Sequence, residues 1–121
     1  PPAGSGAAAA VAAAMSQQGV PYVWGGATPG VGFDCSGLTM WAWGQAGVGL
    51  PHSAAEQYDD TAHVPLADME PGDLIFYDEG GVIGHVTMYI GNGEMVQAPE
   101  TGENVQVTGI WSNGLVGAGR P

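Results

Sequence analysis

The chain has 121 residues, enough for one domain with a hydrophobic core and too few for two ordinary ones. Twelve acidic side chains face a single base, Arg120, giving a net charge of −11, and only 11% of the residues are charged, against about 25% in an average soluble protein. That balance argues against a nucleic-acid partner, because neutralising phosphates takes clustered Lys and Arg. It argues equally against anchoring on an anionic membrane surface.

Residues 1–6 read as the end of a linker and residues 7–121 as one domain without an internal repeat. Residues 7–18 are alanine-rich and predict a helix, stopped by Gly19 and Pro21. The apolar run from Ala7 to Met15 is too short for membrane insertion, which needs about 20 residues. No basic segment precedes it, so it is not read as a signal peptide; an exported protein would be represented here by a mature fragment. Residues 20–32 are rich in Gly and aromatics and predict an irregular approach, with Trp24 expected in the core and Tyr22 near a site. A second helix is expected over 35–46, ending at Gly47. Ser53 and Glu56 fit a capping box that opens a short third helix. Beyond Pro71-Gly72 the period changes, and strands are expected over 73–77, 85–90 and 95–98, with weaker ones at 105–107 and 115–116. Helices followed by an antiparallel sheet define the α+β class.

Cys35 is the sole cysteine, so no internal disulfide is possible and the thiol is either buried filler or a nucleophile. It stands at the expected start of the second helix, where the positive end of the helix dipole favours a thiolate. A nucleophilic thiol requires a histidine base and an orienting group behind it. Of three histidines, His63 falls in a polar loop and is expected to be solvated. His52 precedes the Ser53 cap, where it could flank the helix or line a cleft. His85 opens a strand. Its link to Gln97 depends on hairpin register: a two-residue loop at Asn92-Gly93 pairs Met88 with Gln97 and turns Gln97 away from His85. A three-residue loop pairs Ile90 with Glu94 and Thr87 with Gln97, making His85 and Gln97 diagonal neighbours on one face. The three-residue loop is expected.

Four segments carry a resemblance: Val20-Pro21-Tyr22-Val23-Trp24-Gly25-Gly26, Asp34-Cys35-Ser36-Gly37, Gly72-Asp73-Leu74-Ile75-Phe76-Tyr77, and the run His85 to Gly93. Together they resemble the NlpC/p60 family of cell-wall cysteine peptidases. Leu50-Pro51-His52-Ser53 and Gln57-Tyr58 are most similar to its actinobacterial branch. The resemblance implies a papain-like α+β fold with the nucleophile on a helix packed against the sheet. It implies hydrolysis of peptidoglycan stem peptides, commonly between γ-D-glutamate and a diamino acid such as meso-diaminopimelate. Cys35 would be the nucleophile, His85 the base and Gln97 the third member. Tyr22 would assist the oxyanion, and Asp34 and Ser36 would hold a substrate amino group. Two departures stand out. Gln97 replaces the usual His or an occasional Glu, so it can fix the imidazole tautomer but adds no charge. His52 stands where many members carry Arg, leaving carboxylate binding to backbone N–H groups, Ser36, Tyr22 or a protonated His52. Residues 113–121 match no part of the family pattern.

The implied reaction is acyl transfer from a Cys35 thiolate paired with a His85 imidazolium, with no metal and no cofactor. The acids at Asp59-Asp60, Asp78-Glu79 and Glu100/Glu103 are expected to form a solvated face. Trp41 and Trp43 lie on different sides of the second helix, so one is expected to line a groove or an interface; Trp111 has no assigned place. The partners implied are stem peptides, with flanking targeting domains or an inhibitory or immunity partner in addition, and the location is secreted, cell-wall or periplasmic. An amidase cutting between the lactyl group and L-alanine, a wall-targeting toxin or a phage lysin would use the same triad, whereas a non-enzymatic wall-binding module would not need an intact Cys35 and His85.

Overall fold

The computed structural model describes residues 5–121. Residues 1–4 of the expected linker end lie outside the described residues, and Ser5 and Gly6 already belong to the first helix, α1 (Ser5–Met15). Two short strands follow, β1 (Ala27–Thr28) and β2 (Gly32–Phe33), then α2 (Cys35–Gln45) and α3 (Ala54–Asp60). The remainder is strand: β3 (Ala62–Val64), β4 (Leu74–Glu79), β5 (Val82–Gly91), β6 (Glu94–Gln97), β7 (Gln106–Gly109) and β8 (Leu115–Arg120), with a 3-10 turn at Leu66–Asp68. The fold is therefore α+β, as the order of elements implies.

Alanine decides how the helices meet. Ala7, Ala10 and Ala14 repeat at helical spacing and are buried, so α1 lies close against α2 on a methyl-lined face. Trp43 of α2 is buried and its indole N–H donates to the Gly72 carbonyl at 3.0 Å. Trp41 packs against Phe33 with ring centroids 5.4 Å apart. Both tryptophans thus pack into the protein and neither lines the cleft described below, because α2 is covered on more than one side.

The main sheet has six strands in the order β3-β8-β4-β5-β6-β7, all pairs antiparallel. Alternation along β4 and β5 sends Leu74, Phe76, Val86 and Met88 into the core shared with the helices. The opposite face carries a smaller cluster of Ile75, Tyr77 and Met95, covered by Met69, Tyr89, Ile110 and Leu115. Strand β8, only partly expected from sequence, lies between β3 and β4. Its Arg120 donates from Nε and Nη2 to the two carboxylate oxygens of Asp73, both at 2.8 Å, and pairs with Glu70 at 3.1 Å. His63, expected in a loop, is exposed on β3, with its ring 4.1 Å from that of Tyr58 and Nε2 2.9 Å from the Tyr58 carbonyl. Asp59 and Asp60 end α3 rather than occupying a loop, and both are exposed.

The β5–β6 hairpin corrects the expected loop while keeping the expected register. Asn92 and Gly93 have φ of 55° and 74° and form a two-residue turn closed by Gly91 opposite Glu94. Ile90 is then bulged out, and pairing resumes with Tyr89 opposite Met95 and Met88 opposite Val96. Continuing that register puts Thr87 opposite Gln97. The bulge inserts the one residue that a three-residue loop would have inserted.

Candidate active site

Helix α2 begins at the thiol because Asp34 ends the preceding extended chain and caps it. The Asp34 backbone is extended, and its Oδ1 accepts from the Gly37 N–H at 2.7 Å. The same oxygen meets His52 Nε2 at 2.7 Å, and Oδ2 accepts from the Gly25 N–H at 3.0 Å. One carboxylate therefore ties together the helix start, the Tyr22–Gly26 segment and the loop before α3. Residue 37 has to be glycine here, since a Cβ would collide with the Gly26 carbonyl oxygen. Buried Gln57 bolts the same loop down from α3. Its Nε2 donates to the carbonyls of Ser36 and Pro51 at 3.0 and 2.8 Å, and its Oε1 accepts from Thr39 Oγ1 at 2.7 Å.

Cys35 Sγ faces β5, 3.9 Å from the Gly84 carbonyl. The next residue, His85, is buried and its Nε2 lies 2.8 Å from Gln97 Oε1. Gln97 Nε2 in turn donates to Thr108 Oγ1 at 2.8 Å, which orients the amide so that its oxygen accepts from the imidazole. Nε2 of His85 therefore carries its proton, and Nδ1 is the nitrogen left for other chemistry. Behind His85 the ring of Tyr77 lies 6.0 Å away and that of Trp111 6.1 Å away, nearly parallel to the imidazole. Tyr77 and Trp111 stack on each other at 4.7 Å, and the Tyr77 hydroxyl donates to the Trp111 carbonyl at 2.9 Å.

These groups open onto a cleft of about 440 Å³. Tyr22, Asp34, Cys35, Ser36, His52 and His85 all line it, while Gln97 sits behind His85. Trp24 also lines it and is 86% exposed, so its expected place in the core is corrected. It stands before Gly25-Gly26 at the cleft, with most of the indole facing solvent. Glu79 and Ile83 form another part of the wall. Sequence reasoning left Glu79 among solvated acids, although the Gly80-Gly81 turn that sets it opposite Val82 and over Gly84 was a readable signal. Trp111 had no such signal, because its contacts cross the sheet.

Electrostatics revise one expectation. Burial pushes the Cys35 thiol up from its ordinary value of 9.0; the Val86 and Ser36 backbone groups pull it down, and the Asp34 and Glu79 carboxylates push it further up. The expected depression by the helix terminus is thus outweighed by desolvation. Burial raises the Tyr22 phenol as well, helped by the negative charge of a Cys35 thiolate, Asp34 and Glu79. Among the described residues, no group of three or more His, Cys, Asp or Glu could hold a metal ion.

An α+β domain whose helix-borne cysteine and strand-borne histidine line one cleft is a recognisable class, and comparison with known proteins places this one within it. The chain belongs to the NlpC/P60 family, whose model matches residues 19–118, so residues 113–118, expected to fall outside the family pattern, lie within it. It is 47% identical over 115 residues to the probable endopeptidase Rv2190c of Mycobacterium tuberculosis (strain ATCC 25618 / H37Rv), covering 94% of this chain and 29% of that protein. It is 40% identical over 112 residues to the bifunctional muramidase/DL-endopeptidase CwlT of Bacillus subtilis (strain 168), covering 88% of this chain and 34% of that protein. The solved structure of the peptidoglycan hydrolase RipB of Mycobacterium tuberculosis superposes with a TM-score of 0.86 at 38% identity, covering 95% of this chain and 64% of that one. The chain thus spans about a third of the length of these two curated relatives.

Proposed function

We propose that this domain is a peptidoglycan endopeptidase that hydrolyses the bond between γ-D-glutamate and the diamino acid of stem peptides, using Cys35, His85 and Gln97. The observation that carries the reading is the 2.8 Å bond from buried His85 to Gln97, with the Cys35 thiol lying against the residue before His85. The name of CwlT, a DL-endopeptidase, supports the choice of bond.

Burial disfavours a standing Cys35 thiolate, so in this reading the base acts during attack. The thiol proton passes to His85 Nδ1 as sulfur bonds to the carbonyl carbon. The Cys35 N–H and the Tyr22 hydroxyl steady the oxyanion. The C–N bond breaks, and the leaving amine takes the proton from Nδ1. His85 then draws a proton from water, whose oxygen replaces sulfur, releasing the new carboxylate and restoring the thiol. Gln97 holds the imidazole in the required tautomer throughout. Its substrate puts the enzyme's place of action outside the cytoplasm, secreted or in the cell wall, with targeting supplied by segments flanking the domain.

Digestion of purified muropeptides with the wild type and Cys35→Ala, read by mass spectrometry, tests the reading. The wild type is expected to release a fragment ending in D-glutamate and the variant none. Release of the lactyl group from L-alanine would identify an amidase instead. Activity abolished by a chelator but untouched by a thiol alkylator would overturn the mechanism.

A further inference from the structure

The cleft has two carboxylates in its wall, and they are not equivalent. Both oxygens of Asp34 are occupied by the protein, by two backbone N–H groups and His52, and the side chain is only 13% exposed. Asp34 is therefore poorly placed for the amino-group recognition expected of it. Glu79 is the opposite case. It is exposed, it lines the same cleft, and among the described residues its carboxylate has no hydrogen-bond or ion-pair partner.

Its position is nonetheless built. Glu79 closes β4, opposite Val82 across the Gly80-Gly81 turn. That pairing brings its side chain over Gly84, where a Cβ would stand 2.7 Å from Oε1 and 2.9 Å from the Glu79 Cβ. Glycine at 84 makes the room that lets the carboxylate lie against the strand. Gly84 is also the residue whose carbonyl meets Cys35 Sγ and whose neighbour is His85. Glu79 thus adjoins the strand segment that carries His85 and meets the Cys35 thiol of α2. Its charge is felt in the cleft: after burial and the nearer groups, it adds to the upward push on the Cys35 thiol and the Tyr22 phenol. No Lys or Arg lines the cleft, so the fixed charge there is negative and favours a cation.

We propose that Glu79 is a specificity-determining residue, its carboxylate receiving a primary ammonium group of the substrate beside the scissile bond. The inference rests on the reading of the domain as a stem-peptide hydrolase. Its test separates the two. The whole chain carrying Cys35→Ala is titrated calorimetrically at low salt with a stem peptide bearing free amines. The same peptide is then tested acetylated at its N-terminal amine or at the distal amine of the diamino acid. The free peptide is expected to bind about fivefold more tightly than one of the acetylated forms, the upper range for an ion pair open to solvent. Adding Glu79→Gln is expected to shrink that preference below about twofold, as should raised salt. Equal affinity for free and acetylated peptides, a preference that survives Glu79→Gln, or no measurable binding of any peptide overturns the proposal. If the preference follows Glu79 while the wild type leaves every peptide uncut, stem-peptide hydrolysis fails and the ammonium site stands. If the wild type cleaves and Glu79→Gln changes nothing, hydrolysis stands and the ammonium site fails.

Discussion

In the proposed triad Gln97 would supply orientation without charge, so its contribution is expected in turnover rather than in binding. Gln97→Ala removes the acceptor that holds His85 Nε2 and should lower kcat by about tenfold or more while leaving KM within about twofold. Gln97→Glu, which keeps an acceptor oxygen, should retain most of the activity; steady-state kinetics on a synthetic stem peptide distinguishes them. The thiol makes a separate expectation for stability. Its folded pKa is raised above the ordinary 9.0, so the neutral form is favoured and the stabilisation is complete below that value. It is lost as pH rises toward the folded value. Wild-type Tm should therefore fall faster than that of Cys35→Ala above about pH 9; Tyr77, also raised, acts alike in both proteins, whereas Tyr22, raised in part by the Cys35 thiolate, loses that push in the variant and adds to the difference. At this scale the sequence was informative where chemistry forces a residue type: a lone thiol before a helix, a histidine on a strand, an amide across a hairpin. It misled at Trp24, because whether an indole is covered depends on what packs beside a loop, which spacing does not encode.

Among the elements, the bulge at Ile90 decides whether Gln97 shares a face with His85. Gly91 permits it, with φ of 98° in a region that other residues enter at a cost. Gly91→Ala should cost about 1–2 kcal/mol in a urea melt. It should also lower kcat/KM by more than unfolding accounts for, because flush pairing of Ile90 with Met95 would turn Gln97 to the far face. The register was legible from the sequence and the device was not, since a longer turn and a tight turn with a bulge leave the same pattern of side chains. Strand β3 escaped notice for a plainer reason: three residues carry no measurable alternation, and β8 alone pairs with them. Strand β8 was half hidden because Gly117 and Gly119 interrupt its apolar pattern.

For the whole molecule, the order of helices before strands was readable, whereas the clamp that fastens the final strand was not, because Arg120 and Asp73 are far apart in sequence. Asp73 is 1% exposed and the Arg120 side chain 10%. Arg120→Met should therefore destabilise the protein by about 2–3 kcal/mol, somewhat below the cost of breaking a fully enclosed pair. Chemical denaturation at neutral pH measures it.

That clamp has a consequence for how the protein survives among other enzymes. A protease that cuts after Lys or Arg finds one such residue in these 121, Arg120. Its guanidinium is held by Asp73 and Glu70, and the peptide bond that follows it leads into Pro121, a junction that trypsin-like enzymes leave uncut. Even unfolded, the chain offers them no productive bond, whereas an enzyme that cuts after Glu has six points of entry. A tryptic digest of this domain should return it intact.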